Sequence, residues 1–188
     1  MSKIIELVNG NALEHGISMF LDHGGPSGSQ MHVGGQAATK TAATTLTNSN
    51  TQTLLDSCAI PANSLVAGST IRVKSMGIAT ATNSTDTLQI TLGLGPTATA
   101  LASREEILAT DAVDAVNNDV FYIDAVIQVR TVGTGGTAGA MEQYQDPDAV
   151  ATTSKRILKA SFTLNTTVAN TLAVSGQWSV ANAGNSMR

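Results

Sequence analysis

Cysteine, aromatic side chains and charge are all scarce in this 188-residue chain. Its one cysteine, Cys58, excludes an internal disulfide framework and any paired-cysteine metal motif. In a strand-like stretch such a thiol reads as a small, buried or half-buried hydrophobe. Charged residues make up 13% of the chain, about half the usual quarter for soluble domains. Ten basic and fourteen acidic residues leave a net charge of −4. That balance gives no broad cationic field for nucleic acid and no polybasic patch for a membrane surface. No stretch approaches the roughly 18 apolar residues of a membrane-spanning helix. The opening MSKIIELV is interrupted by Glu6 and then Asn9, unlike the apolar core of a secretion signal. The expectation is a protein made and kept in a cytosol-like compartment, or assembled from one.

What fills the space is Thr, Ser, Asn and Gly, with Val, Ile, Leu and Ala left to build a core. Residues 1–50 read as an extended N-terminal arm and a linker. The arm carries two short apolar patches, Ile4, Ile5, Leu7 and Val8, then Ile17, Met19, Phe20 and Leu21, neither with sustained helical periodicity. The segment HGGPSGSQMHVGGQ (23–36) is flexible by composition, and AATKTAATTLTNSN (37–50) is a Thr/Ala linker without core-forming power. Two apolar patches on a tether suit an arm that finds its partner outside its own domain. A disordered tail, or a first strand packed at home, fits the same composition.

Residues 51–188 read as one β domain. Alternation with period two runs through Ile71 and Val73, through Leu88, Ile90, Leu92 and Leu94, and through Phe121, Ile123, Ala125, Ile127 and Val129. It continues in Leu158, Ala160, Phe162 and Leu164, and in Leu172, Val174, Gly176, Trp178 and Val180. A weaker strand lies near Thr53 to Ile60. The closing strand should have a dry even face and a wet or lightly packed odd face of Thr171, Ala173, Ser175 and Gln177. Phe121, Ile123, Ile127, Phe162 and Trp178 are the expected core anchors. ASREEILA (102–109) is the one helical candidate, and it fits a loop equally. Many half-buried strands without a βαβ rhythm predict an all-β antiparallel sandwich. Irregular spacing and a long connection after Leu94 favour a jelly roll over a meander.

The chemical motifs are weak. GTGGTA (133–138) fits the dinucleotide-binding glycine pattern, but Gly139 and Pro147 leave little room for the helix that such a site needs. A glycine-rich hairpin turn is the better reading. His15, His23 and His32 match no zinc spacing. Ser27 has no strand-to-helix elbow, and Cys58 has no cationic neighbour in sequence. Glu105 with Glu106, and Asp146 with Asp148, read as solvated or capping carboxylates rather than a glycosidase pair or a calcium loop. Arg72, Lys74 and Arg130 lack the interleaved aromatics of a nucleic-acid platform. No catalytic, cofactor or metal residues are assigned, and an enzyme is not expected.

Three segments carry a family likeness: IPANSLVAGSTIRVKSMGIAT (60–80), DVFYIDAVIQVRTVGTGGTAG (119–139) and TTVANTLAVSGQWSVANAGNS (166–186). Together they resemble the virion structural proteins of tailed bacteriophages, in particular jelly-roll decoration (cement) proteins and similar domains of head or tail fibres. The likeness covers residues 51–188 and leaves the arm uncovered. It implies a homotrimer on the outer surface of the capsid, assembled in the host cytoplasm. Its partners would be other copies of itself and the major capsid protein, with no cofactor, nucleic acid or membrane. The two apolar patches of the arm would then serve capsid or inter-subunit contacts. The alternative is a head or tail fibre or spike domain whose loops, such as 95–118 or 133–150, bind a host-surface glycan. Only Trp178, Tyr122 and Tyr144 are at hand to stack on a sugar there, with Trp178 on the expected core face.

Overall fold

The computed structural model describes residues 18–21, 31–34, 45–81, 85–115, 118–146 and 154–187. The chain divides into two units, Met1–Thr41 and Ala42–Arg188. In the first, β1 (Ser18–Leu21) and β2 (Met31–Gly34) form an antiparallel pair in which Phe20 stands opposite His32. Part of the segment read as flexible by composition, Met31–Gly34, is thus a strand. Of the arm residues singled out above, Met19, Phe20 and Leu21 lie in β1. Ile4, Ile5, Leu7, Val8 and Ile17 lie outside the described residues.

The second unit is an all-β sandwich of two antiparallel sheets. Its strands are β3 (Leu46–Thr47), β4 (Thr53–Ile60), β5 (Thr70–Thr80), β6 (Thr87–Pro96), β7 (Glu105–Ala109), β8 (Val113–Asp114), β9 (Asp119–Thr131), β10 (Thr137–Gln145), β11 (Ser154–Thr163), β12 (Asn170–Trp178) and β13 (Ser186–Met187). One sheet has the order β11-β10-β9-β5-β13-β3, and the other β4-β12-β6-β7 with β8 also on β6. The closing strand β12 is inserted between β4 and β6, the crossed order expected of a jelly roll, whereas β9, β10 and β11 run as a meander.

The alternation seen in sequence fixes the core. Leu88, Ile90, Leu92 and Leu94 of β6 are fully buried and stand opposite Trp178, Gly176, Val174 and Leu172 of β12. From the facing sheet, β9 presents Phe121, Ile123, Ala125, Ile127 and Val129 to the same core. Phe162 and Trp178 are buried with them. Gly176 holds its place by close approach, since a Cβ there would come within 2.8 Å of Met187 Cε on β13. The linker read as lacking core-forming power supplies Leu46 of β3, which is 3% exposed.

Four local expectations are corrected. ASREEILA is not a helix: a 3-10 turn (Leu101–Ser103) leads into β7. So short a segment cannot repay helix nucleation, while the free edge of β6 offers backbone partners. A bulge between Leu92 and Gly93 in the β6–β7 register lets Ile107 and Leu108 both be buried, which hides the strand's period.

In β11 the inward residues are not one alternating set. Leu158 is 73% exposed, and Ala160 is exposed as well. Ile157 packs on the core instead. Ala138 pairs with Phe162 but Ala140 pairs with Lys159, so one extra residue in β11 reverses its facing.

The expected loop 133–150 contains β10, and the expected loop 95–118 contains β7 and β8. The inward positions of β10 are Ala138, Ala140, Glu142 and Tyr144, while Met141 points out. A buried carboxylate and an exposed methionine invert the usual hydrophobic signal.

Finally, the odd face of β12 is dry along most of its length, with Gln177 exposed and Thr171, Ala173 and Ser175 buried. Ala173 and Ser175 are each 1% exposed. The preceding segment covers this face: Gln52 Nε2 donates to Ser175 Oγ at 2.9 Å, and Gln177 Nε2 donates to the Asn50 carbonyl at 2.9 Å.

Candidate functional site

The glycine motif GTGGTA (133–138) is the strongest apparent catalytic pattern in the sequence. GTGGTA is a hairpin turn between β9 and β10, followed by a strand and not by a helix. The turn is latched to the segment after β11: Thr166 N donates to the Gly133 carbonyl at 3.1 Å, and Leu164 N donates to the Gly136 carbonyl at 2.8 Å. Gly133 N donates in turn to Thr166 Oγ1 at 2.8 Å. A Cβ on Gly136 would lie 2.6 Å from the Leu164 carbonyl oxygen. These glycines permit backbone to pack on backbone, and the strand that follows them offers a pyrophosphate no helix N-terminus.

The motif residues near the C-terminus also have packing roles. Asn170 is buried and its amide donates to the carbonyls of Asn165 and Val168 at 2.8 and 2.9 Å, shaping the entry to β12. Asp86, buried just before β6, accepts from Asn182 Nδ2 at 3.1 Å and from Asn185 Nδ2 at 3.0 Å. Thr87 N donates to Ser179 Oγ at 2.9 Å beside them. The resemblance motif is therefore a set of pins for the C-terminal turn.

The described His, Cys and carboxylate residues named from sequence do not gather into one site. His32 is in β2, whereas His15, His23, Ser27 and Asp148 lie outside the described residues. Cys58 is half-buried in the edge strand β4. Among the described residues no three His, Cys, Asp or Glu side chains gather as a metal site. None of the described helical segments is long and apolar enough to cross a membrane. Glu105 and Asp146 do come together with other groups, in a seam that sequence inspection missed.

That seam runs where the edge of β11 meets β7. Lys159 Nζ pairs with Glu105 Oε1 at 2.5 Å and also contacts the Glu106 carbonyl. Lys155 Nζ contacts Asp111 Oδ2 and lies 3.5 Å from Asp146 Oδ2. Glu142, opposite Ile157 in the register, is 1% exposed and neither of its oxygens accepts a hydrogen bond. Burial pushes its carboxyl up to about 7, against the opposing charge of Lys159. Burial, aided by the Asp146 charge, also raises the Tyr144 phenol.

Comparison with known proteins finds no matching family model, characterised protein or solved structure. The surface must therefore be read from its own geometry.

The outer face of the six-stranded sheet is the feature that stands out. Register lines up Leu158, Met141, Val126 and Arg72 across β11, β10, β9 and β5. Leu158 and Met141 are 73% and 61% exposed. The next row is polar: Arg156, Gln143, Asp124 and Lys74. Asp124 accepts from Arg72 through both oxygens, at 3.1 and 2.7 Å, and from Tyr122 Oη at 3.2 Å. The Arg72 hydrogen bonds chiefly hold its carboxyl below the usual range, with Tyr122 and Lys74 adding to the effect. The following row is Ser154, Gln145, Tyr122 and Met76, with Met76 also far exposed. Neighbouring strands lie about 4.8 Å apart, so each row is a continuous strip. Leu158 could not be placed here from sequence because the β11 bulge sets its facing.

Proposed function

We propose that the chain is a virion structural protein: a trimeric decoration (cement) protein that binds the outside of a phage head and stabilises the shell. The arm contributes to capsid or inter-subunit contacts, and the partners are copies of the same chain and the major capsid protein. The observation that carries this reading is the strip Leu158–Met141–Val126 on the outer sheet face. An antiparallel sheet facing water normally carries polar side chains there. A leucine and a methionine exposed side by side, rimmed by Arg72, Asp124 and Arg156, have the make-up of an interaction surface. Burying a large aliphatic side chain contributes about 1.5–3 kcal/mol before ordering costs, and a stiff sheet loses little entropy on docking.

The fibre or spike reading is less well supported. Glycan sites use exposed aromatic faces, yet Trp178 and Tyr144 are buried, and Tyr122 is half-buried with its hydroxyl engaged by Asp124.

The test is to add the purified protein to phage shells that lack it and to heat both. The decorated shells should bind the protein and withstand a higher temperature. Absence of binding, or binding without protection, would defeat the cement reading. Removing residues 1–36 tests the arm: shell binding should fall while the trimer persists. Loss of the trimer would instead assign those residues to the assembly of the domain itself.

A further inference from the structure

We propose that Lys155 and Asp111 are joined by an intramolecular amide bond, formed by the protein on itself with Asp146 as the proton carrier. Three observations meet at this point of the seam. Lys155, near the start of β11, has its Nζ in contact with Asp111 Oδ2, just beyond β7. The same Nζ lies 3.5 Å from Asp146 Oδ2, and the Asp146 side chain is 2% exposed. Lys155 belongs to one sheet, while Asp111 continues from a strand of the other.

The chemistry needs an amine, a carboxyl carbon and a carboxyl that can hold a proton in a dry place. In the first step the Lys155 ammonium passes a proton through Asp146 to the Asp111 carboxylate, which becomes the neutral acid. The freed Nζ lone pair attacks Cγ of that acid and forms the C–N bond. Asp146 then takes a second proton from the nitrogen and delivers it to the departing hydroxyl, the C–O bond breaks and water leaves. One ammonium and one carboxylate become one amide and one water, so atoms and charge balance without any oxidant or activated co-reactant. The contact between Nζ and the Asp111 carboxyl supplies the proximity, which in well-oriented intramolecular reactions replaces a large part of the barrier. The Lys155 side chain is 37% exposed and that of Asp111 55%, so the contact and the buried Asp146 carry the proposal, and burial of the reacting pair does not.

The neighbouring pair, Lys159 with Glu105, has a different setting. The Lys159 ammonium is shared between Glu105 and the Glu106 carbonyl and lies 5.8 Å from the Phe162 ring centroid. It serves as the internal comparison.

The bond would close the sandwich covalently on the side where β11 meets β7, adding kinetic stability to a protein that has no disulfide. Intact-mass spectrometry of the purified full chain tests the proposal. Wild-type protein should be lighter than its sequence mass by one water. Lys155→Arg, which keeps the ion pair and the fold, should show the full sequence mass, as should Asp111→Ala. Lys159→Arg should keep the deficit. Asp146→Asn should show the full mass or acquire the deficit far more slowly. Wild-type protein at full sequence mass would overturn the bond. A deficit that survives Lys155→Arg would do so too, because it would place the lost water in a succinimide or at Lys159. An Asp146→Asn protein that closes as fast as wild type would overturn the role given to Asp146.

Discussion

Asn185 and Asp86, far apart in sequence, meet inside the sandwich: the Asn185 side-chain amide donates to Asp86 Oδ2 at 3.0 Å, and both residues are buried. Asn182 donates to the same oxygen. This link joins the entry to β6 with the turn that leads from β12 to β13. Replacing Asn185 with Ala withdraws a donor from a buried carboxylate, at a cost of about 1–3 kcal/mol. Asp86→Ala should cost a similar amount by stranding two amides. Denaturant unfolding of both variants and of the double variant checks this, and the double should be less destabilised than the sum of the singles.

The turn between β9 and β10 gives a sharper contrast between adjacent glycines. A Cβ on Gly136 would press on the carbonyl oxygens of Leu164 and Thr131, whereas one on Gly135 would meet nothing within 4 Å. Gly136→Ala should lower stability by about 1–3 kcal/mol through backbone displacement. Gly135→Ala should stay within about 0.5 kcal/mol of wild type. Thermal melting of the two proteins side by side decides the matter.

The reversal of facing in β11 can be read from two neighbouring truncations. Ile157 packs on the core while Leu158 faces out. Ile157→Ala should cost about 1–3 kcal/mol, toward the low end for aliphatic truncations because the residue is only half-buried. Leu158→Ala should leave folding stability within about 0.5 kcal/mol. The opposite ranking would mean that β11 continues in a single phase without its bulge.

Glu142 should leave a signature in the pH dependence of stability. Burial pushes its folded carboxyl up to about 7, from an ordinary value of 4.5. The folded protein therefore binds more protons than the unfolded chain between those two values. The stabilisation is fully present below about 4.5 and is lost as pH rises through about 7, with a total on the order of 3 kcal/mol. Asp124 acts in the other direction, since its lowered folded pKa gives stability above its unfolded pKa that is lost as pH falls through the folded value. Glu142→Gln should flatten the decline from pH 5 to 8 and be more stable than wild type at the upper end, as read by urea unfolding at each pH.

Where period two ran unbroken, the sequence was enough to place side chains. Leu88 to Leu94 and Phe121 to Val129 face the core as their alternation requires. The turn at Gly133–Gly136 was also legible, because Gly139 and Pro147 argued against any helix after it. The elements that escaped share a cause: a local feature that breaks or disguises the period. Bulges do so in β7 and β11, and the buried Glu142 does so in β10. The two-residue strands β3 and β13 are too short to show a period at all.

The surface strip and the lysine seam were illegible for a different reason. Leu158, Met141 and Val126 become neighbours only through the register of three strands. Lys155 meets Asp111 and Asp146 only because the edges of two sheets come together. Sequence spacing carries no trace of either meeting. The odd face of β12 shows the converse, since its small residues looked suited to a neighbour but are covered by Gln52 and the segment beside it.

The central claim is that the outer face of the six-stranded sheet docks on a capsid shell. Its most direct measurement is co-sedimentation of wild-type protein and of Met141→Lys/Leu158→Glu, an opposite-charge cross-strand pair, with shells lacking the protein, at equal concentration and with folding checked by thermal melting. Both proteins should melt alike, because the two side chains contribute little to the core. Wild type should pellet with the shells, and the double variant should lose binding by at least about tenfold, which corresponds to about 1.4 kcal/mol. Equal binding by the two proteins, or no binding by either, would contradict the account.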